Sequence, residues 1–190
     1  MIGNDIVDLK HMNNTCHWQR PRFFDKVFTS EEQEFISTSE NEQLMVWLLW
    51  SMKEAAYKVH VQQFGKRFFN PKRLQCQIIS EGKGSVGIDD QMYFTCSTIT
   101  DDYVYTVATK DLNEPFNTAV FKSEISTYTV QSDALKQEVL RTISKTKSIP
   151  IDTLSIKKNT PGIPKVFYKS EQYSIDMSLT HCGRFSGFAY

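Results

Sequence analysis

The sequence has no Cys-x-x-C pair, no net charge and no apolar run long enough to cross a bilayer. Each absence excludes something. The four cysteines, Cys16, Cys76, Cys96 and Cys182, are scattered, and the four histidines, His11, His17, His60 and His181, do not cluster with them. A disulfide framework and a zinc site are both set aside, and the cysteines read as reduced thiols of a cytoplasmic protein. With 22 Lys and Arg against 22 Asp and Glu, nothing draws the whole molecule toward nucleic acid or an anionic membrane. Any basic footprint is local. Residues 44–50 are the longest apolar run, far too short for a transmembrane span. Residues 1–10 hold two Asp and no apolar signal region.

What is present points to a globular fold. Of the 190 residues, 40% are hydrophobic and 23% charged, enough for one ordinary domain or two small lobes. "IGNDIVDL" reads as a short strand in which Asp5 and Asp8 are unusual. In residues 22–37, "TSEE" offers Thr29 or Ser30 as a helix cap, with Glu31 and Glu32 in the first turn. A long helix is expected over about 42–62, followed by a turn at 64–71 carrying Gly65 and Pro71. Residues 74–109 alternate or are β-branched, and predict a run of antiparallel strands. A linker at 110–117 leads to one more extended stretch, "AVFKSEISTYTV". A Ser-Asp cap then opens an amphipathic helix over 132–148. Two strands around a Pro-Gly turn and two more around Thr180–Gly183 complete an α+β chain.

The middle of the long helix poses the chemical question. "LLWSMKEAAYKV" follows a segment apolar on every side, yet carries Lys53, Glu54 and Lys58. Buried charge is costly unless it is paired or bound to something. Glu54 and Lys58 are four apart and share a helix face, so an i,i+4 ion pair on a solvated stripe is the plainer reading. The tryptophans and alanines around them leave little room for such a stripe. Asp5, on a strand, could join a helix carboxylate in holding a hard divalent cation against a diphosphate. "SLTHCGR" gathers a hydroxyl, His181, a Gly and an Arg at a turn, and "GKR" at 65–67 is basic. Both could bind phosphate, although a lone His or a basic turn is more often structural.

In combination these segments resemble the phosphopantetheinyl transferases. "IGNDIVDL" is similar to that family's Gly-x-Asp-Ile strand, and "FFDKVFTSEEQEFI" to its Phe-Thr-x-x-Glu helix start. "WSMKEAAYK" is similar to Trp-x-x-Lys-Glu-Ala-x-x-Lys, and "MSLTHCGRFSGFAY" to its Ser-x-Ser-His strand pair. The resemblance implies an α+β fold of two pseudo-symmetric lobes, each a small antiparallel sheet on a long helix. It implies Mg²⁺-dependent transfer of 4′-phosphopantetheine from coenzyme A to a serine of an acyl or peptidyl carrier protein. No nucleic acid or membrane partner is expected. Carried over by position, Asp5 and Glu54 would ligate Mg²⁺, Glu54 would deprotonate the serine, and Lys58 would stabilise the departing phosphate. Thr180 and His181 would meet the 3′-phosphate of coenzyme A. Lys66 and Arg67 take the place of a Gly-Lys-Gly loop near the carrier or the phosphates. Lys53 would bridge or touch the carrier.

The motif order is informative. In the two-lobed, surfactin-synthetase-activating type the Ser-His strand precedes the Gly-x-Asp-Ile strand, whereas here the latter comes first. Glu54 and His181 are 181 − 54 = 127 positions apart, room for a whole second lobe. The expectation is a circularly permuted monomer with lobes 1–112 and 113–190. A small holo-acyl-carrier-protein synthase with a long insertion, acting as an oligomer, is the alternative. Two positions depart from the pattern. Val7 stands where the two-lobed type has a third acid and Asp8 follows one later, facing the opposite side of the sheet, so two protein carboxylates are expected on the metal. The Gly-Lys-Pro near adenine reads Gly162-Ile163-Pro164, so Lys165 or Arg184 would have to substitute. An inactive relative that binds coenzyme A or a carrier, and a structural protein with a buried ion pair, are competing readings.

Overall fold

In the computed structural model, residues 1–190 are described except 21, 69, 112, 124–126 and 161. The chain starts in β1 (Ile2–Asp8), which is buried along its whole length. Its side chains alternate as a strand requires. Ile2 and Ile6 join Tyr105, Val107, Phe185 and Ala189 on one side. Val7 packs with the long helix on the other. Gly3 also faces the helix, and a Cβ there would collide with the Ala55 carbonyl. Asp8 ends the strand because its carboxylate caps α1 (Leu9–Thr15), accepting the His11 N–H at 3.1 Å.

Short α2 (Phe23–Val27) precedes α3 (Ser30–Thr38). Thr29 is the α3 cap, and Glu32 closes a capping box by accepting the Thr29 N–H at 2.8 Å. The long helix α4 (Glu42–Phe64) is capped by Asn41. It ends at Gly65, whose φ of 68° suits a residue without a Cβ. Strands β2 (Gln75–Ser80), β3 (Lys83–Ile88), β4 (Gln91–Ile99) and β5 (Tyr103–Thr109) form an antiparallel meander. With β1 beside β5 this gives a five-stranded sheet, order β1-β5-β4-β3-β2, with α4 laid across it.

The rest of the chain builds two smaller sheets around one helix. β6 (Thr118–Lys122) leads to α5 (Tyr128–Lys147), then β7 (Leu154–Lys158), β8 (Pro164–Tyr168), β9 (Glu171–Gln172), β10 (Ser178–Cys182) and β11 (Phe185–Ala189). The sheet orders are β10-β11-β6 and β7-β8-β9. Leu135, Val139 and Ile143 of α5 pack with Leu154, Val166, Met177 and Phe188 as a second core.

Four elements differ from the sequence expectation. α1, α2 and the two-residue β9 were not anticipated. α5 begins at Tyr128 after Thr127, four residues ahead of the expected Ser-Asp cap, so residues 128–130 are helical and not extended. Tyr128 and Val130 favour strands, but here both are exposed and no packing enforces that preference. The remainder of the expected extended stretch, residues 124–126, lies outside the described residues.

The two halves meet along β1 and β10, edge to edge, without a main-chain ladder. Hydroxyls replace it. The Asn4 N–H donates to Ser178 Oγ at 3.0 Å and the Ile6 N–H to Thr180 Oγ1 at 3.2 Å. On the carbonyl side, α4 supplies the donors. Lys58 Nζ reaches the Asn4 carbonyl at 2.6 Å and the Leu179 carbonyl at 3.5 Å. One turn on, Gln62 Nε2 reaches the Ile2 carbonyl at 2.7 Å and the Met177 carbonyl at 3.0 Å. Two side chains at i,i+4 thus stitch both strand edges.

Candidate active site

The three helix charges have different fates. Lys53 is buried in an ion pair with Glu32 at 2.8 Å and donates to the Pro71 and Leu74 carbonyls. Glu32 also accepts the Cys76 N–H at 2.8 Å. Every group of that cluster is used inside the fold, so Lys53 is a structural bridge, and it also lines the groove that holds Trp50, Tyr57 and Phe68.

Glu54 and Lys58 lie on the other side of α4, against the seam. Lys58 Nζ stands 3.5 Å from Asp5 Oδ1, and Thr180 Oγ1 donates to the same oxygen at 3.3 Å. Asp5 is buried, and burial pushes its carboxyl up to about 7. The Lys58 charge opposes that shift and the Glu54 charge reinforces it. Glu54 is also raised by burial, against Lys58. Two partly desolvated acids therefore share one ammonium, and that shortfall of positive charge is what a divalent cation would relieve. The donors are hard carboxylate oxygens, suited to Mg²⁺ with water and phosphate completing its shell. Among the described residues, no group of three or more His, Cys, Asp or Glu gathers as a metal cluster.

A cavity of about 270 Å³ opens beside these acids, between α4, β10, the start of α5 and the β7–β8 turn. Glu54, Lys58, His181, Gly162 and Pro164 all line it. So do Arg67, Lys136 and Lys158, which make its far side basic. The His181 ring meets the exposed Tyr128 edge-on at 4.7 Å. Burial, then Lys58 and Lys158, lower the His181 pKa.

Some expected roles shift. Lys66 is exposed and does not line the cavity, whereas neighbouring Arg67 packs against Gly162. Gly162 has φ 102°, and a Cβ there would strike the Arg67 guanidinium. Neither proposed substitute cation is free. Lys165 pairs with Asp176 at 3.2 Å, and Arg184 with Asp8 at 2.8 Å. Ile163 is buried in the cavity wall, so the departure from Lys places an apolar surface where a charge was expected. Asp8 is fully buried and faces away from the acids. Burial alone would raise its carboxyl, but hydrogen bonds from the Arg184 side chain and backbone, from the His11 N–H, and the Arg184 charge bring it down to about 2.

A sequence model of the 4′-phosphopantetheinyl transferase superfamily matches residues 1–108, more than half of the chain. The chain belongs to that superfamily. No curated protein matches the sequence. Among solved structures, the Helicobacter pylori holo-[acyl-carrier-protein] synthase, crystallised with coenzyme A, is 13% identical at a TM-score of 0.47, over 58% of this chain and 100% of that one. The Thermotoga maritima holo-[acyl-carrier-protein] synthase is 11% identical at a TM-score of 0.44, over 90% of this chain and 83% of that one. In this phosphopantetheinyl transferase superfamily member, the match spans β1 and α4, with Asp5, Glu54 and Lys58. Thr180 and His181 lie outside it and reach the site through the fold.

Sequence reasoning missed Gln62, Tyr128, Lys136 and Lys158, and it named Arg67 together with Lys66 without separating the two. Gln62 had a legible signal, since Glu54, Lys58 and Gln62 repeat every four residues on one face of α4. Lys136 and Lys158 of the far wall had none, because they come from the second half of the chain.

Proposed function

We propose that the protein transfers 4′-phosphopantetheine from coenzyme A to a serine of an acyl or peptidyl carrier protein, in a Mg²⁺-dependent reaction. The observation that carries this is that Glu54, Lys58 and His181 line one cavity whose far wall is basic, with buried Asp5 held directly behind Lys58 and hydrogen-bonded by Thr180. A divalent ion held by Asp5 and Glu54 would offset diphosphate charge. Glu54, raised toward neutrality by burial, accepts the serine proton. Lys58, anchored by two carbonyls, stabilises charge on the departing 3′,5′-ADP. His181, with Lys158 nearby, receives the 3′-phosphate, and Thr180 fixes the Asp5 carboxylate. Gly162 and Pro164 leave room for the adenine, with Arg67 replacing Lys66 as the nearby cation.

The carrier would approach from the opposite side of Glu54. There a groove of about 240 Å³ contains Trp50, Tyr57 and Phe68. Trp50 and Pro71 connect it to a surface bearing Arg20, Arg22 and Lys26, which suits an acidic carrier face. We also read residues 1–112 and 113–190 as the two lobes of a circularly permuted, monomeric, cytoplasmic enzyme. The first sheet comes only from residues 2–109 and the other two from 118–189.

The test is intact-mass spectrometry of apo-carrier proteins mixed with the protein, coenzyme A and Mg²⁺. The carrier should gain one phosphopantetheine, and EDTA should abolish the gain. Coenzyme A binding without transfer to any carrier would instead identify a non-catalytic binding protein.

A further inference from the structure

The proposed chemistry leaves Asp8 and Arg184 unused, yet they form the most saturated polar cluster at the seam. Buried Asp8 accepts the His11 N–H at 3.1 Å, the Arg184 N–H at 2.8 Å, Arg184 Nε at 2.9 Å and Arg184 Nη2 at 2.8 Å. The remaining guanidinium nitrogen, Nη1, lies 3.0 Å from Asp102 Oδ1 in the β4–β5 turn. Arg184 sits at the tip of the β10–β11 hairpin, so one side chain of the second half grips two carboxylates of the first.

The tip is shaped to enter. Gly183 has φ 53°, and a Cβ would come within 2.5 Å of Asp8 Oδ2 and 2.6 Å of His11 Cβ. The Gly183 carbonyl accepts from Gln131 Nε2 at 3.0 Å, and the Arg184 carbonyl accepts the Ser123 N–H at 2.7 Å. Thr180 and His181 lie four and three residues before Arg184 on the same hairpin. No main-chain ladder ties β10 to β1, so across that edge its position depends on a few anchors: Lys58 at Leu179, Gln62 at Met177, the two hydroxyls, the packing of neighbouring β11 on Ile2 and Ile6, and this tip.

We propose that Arg184 is a positioning residue for the transfer site. Its clasp on Asp8 and Asp102 keys the hairpin so that Thr180 stands against Asp5 and His181 against the coenzyme cavity. The assignment rests on the transferase reading above. The planar fork matters as much as the charge, because three guanidinium nitrogens serve two carboxylates and an ammonium cannot reproduce that geometry. The main cores of the two halves close on their own residues, so the tip can loosen without either of them unfolding.

The experiment compares wild type, Arg184→Lys, and the uncharged pair Asp8→Asn with Arg184→Gln, which avoids stranding a buried charge. Arg141→Ala, an exposed α5 ion-pair change, is the control. Steady-state transfer, coenzyme A binding by calorimetry, Tm and amide exchange by NMR are measured on the full chain. Arg184→Lys should lower kcat/KM for coenzyme A at least tenfold, leave the KM for carrier within twofold, and speed exchange at Asn4, Ile6 and residues 178–182 alone. The uncharged pair should behave likewise, and the control should match wild type. Kinetics within twofold of wild type, or faster exchange spread through α4 and α5 in step with Tm, would overturn the proposal. If wild type modifies no carrier, the transferase reading fails by itself. Local exchange and coenzyme A affinity then still decide, and their constancy across the variants would reject the positioning role.

Discussion

At Asp5, desolvation and the neighbouring Glu54 outweigh the help from Lys58 and Thr180. Its folded value near 7 lies above the ordinary 3.8. Between those values the folded chain holds more protons than the unfolded one, so metal-free stability falls as pH rises through that window. The Tm of EDTA-treated protein should therefore drop between about pH 4 and pH 7, on the order of a few kcal/mol of stability. Added Mg²⁺ or Asp5→Asn should flatten the profile, and a flat profile in EDTA-treated wild type would contradict the assignment. The same strain predicts opposite effects of Glu54→Gln. Transfer should fall by about a thousandfold or more, consistent with loss of a base and a ligand, while the metal-free Tm rises. Differential scanning calorimetry beside the mass assay separates the two.

Elements show which inferences from sequence succeed. The α3 cap, narrowed to Thr29 or Ser30, and both ends of α4 were legible because such signals are local: a hydroxyl just before Glu31 and Glu32, and a glycine after a run of apolar positions. Lys53 was ambiguous because its partner Glu32 lies on another helix, 21 residues earlier, where periodicity carries no information. The start of α5 was misplaced because a Ser-Asp pair inside a helix looks the same in sequence as one at its cap. Helix α1 was missed because the strand's own last residue, Asp8, is its cap. The Lys53–Glu32 pair yields a prediction at this scale. Glu32→Ala strands a buried ammonium and breaks the α3 cap, and should cost about 3–5 kcal/mol. For a chain of this size that is a Tm drop of roughly 10 °C. Below the transition kcat should stay within a few-fold of wild type, since the cluster does not face the cavity.

Across the whole molecule, the site exists only where the two halves touch. Asp5, Glu54 and Lys58 were legible as a set because they lie within one matched stretch of sequence. The basic wall and the hairpin clasp were not, because the fold alone brings them there. Gln62 tests the seam directly. Gln62→Leu removes donors to both strand edges and should raise amide exchange along β10, with a stability loss of about 1–3 kcal/mol from carbonyls left without partners. Equal protection in the variant would show that the hydroxyls and the apolar contacts suffice.

The bonds that complete the site join residues 174 and 175 positions apart, Ile6 to Thr180 and Asp5 to Thr180. Synthesis runs at about 5–20 residues per second, so roughly ten to thirty seconds separate the emergence of the acids from that of the hydroxyl and imidazole that face them. During that interval a nascent chain can fold its first sheet and display Asp5, Glu54 and Lys58, yet it lacks the other wall of the cavity. Under the proposed function, catalytic competence is therefore withheld until residues 178–189 have been made. A ribosome-stalled chain ending shortly before residue 178 should carry a folded first half with no transferase function.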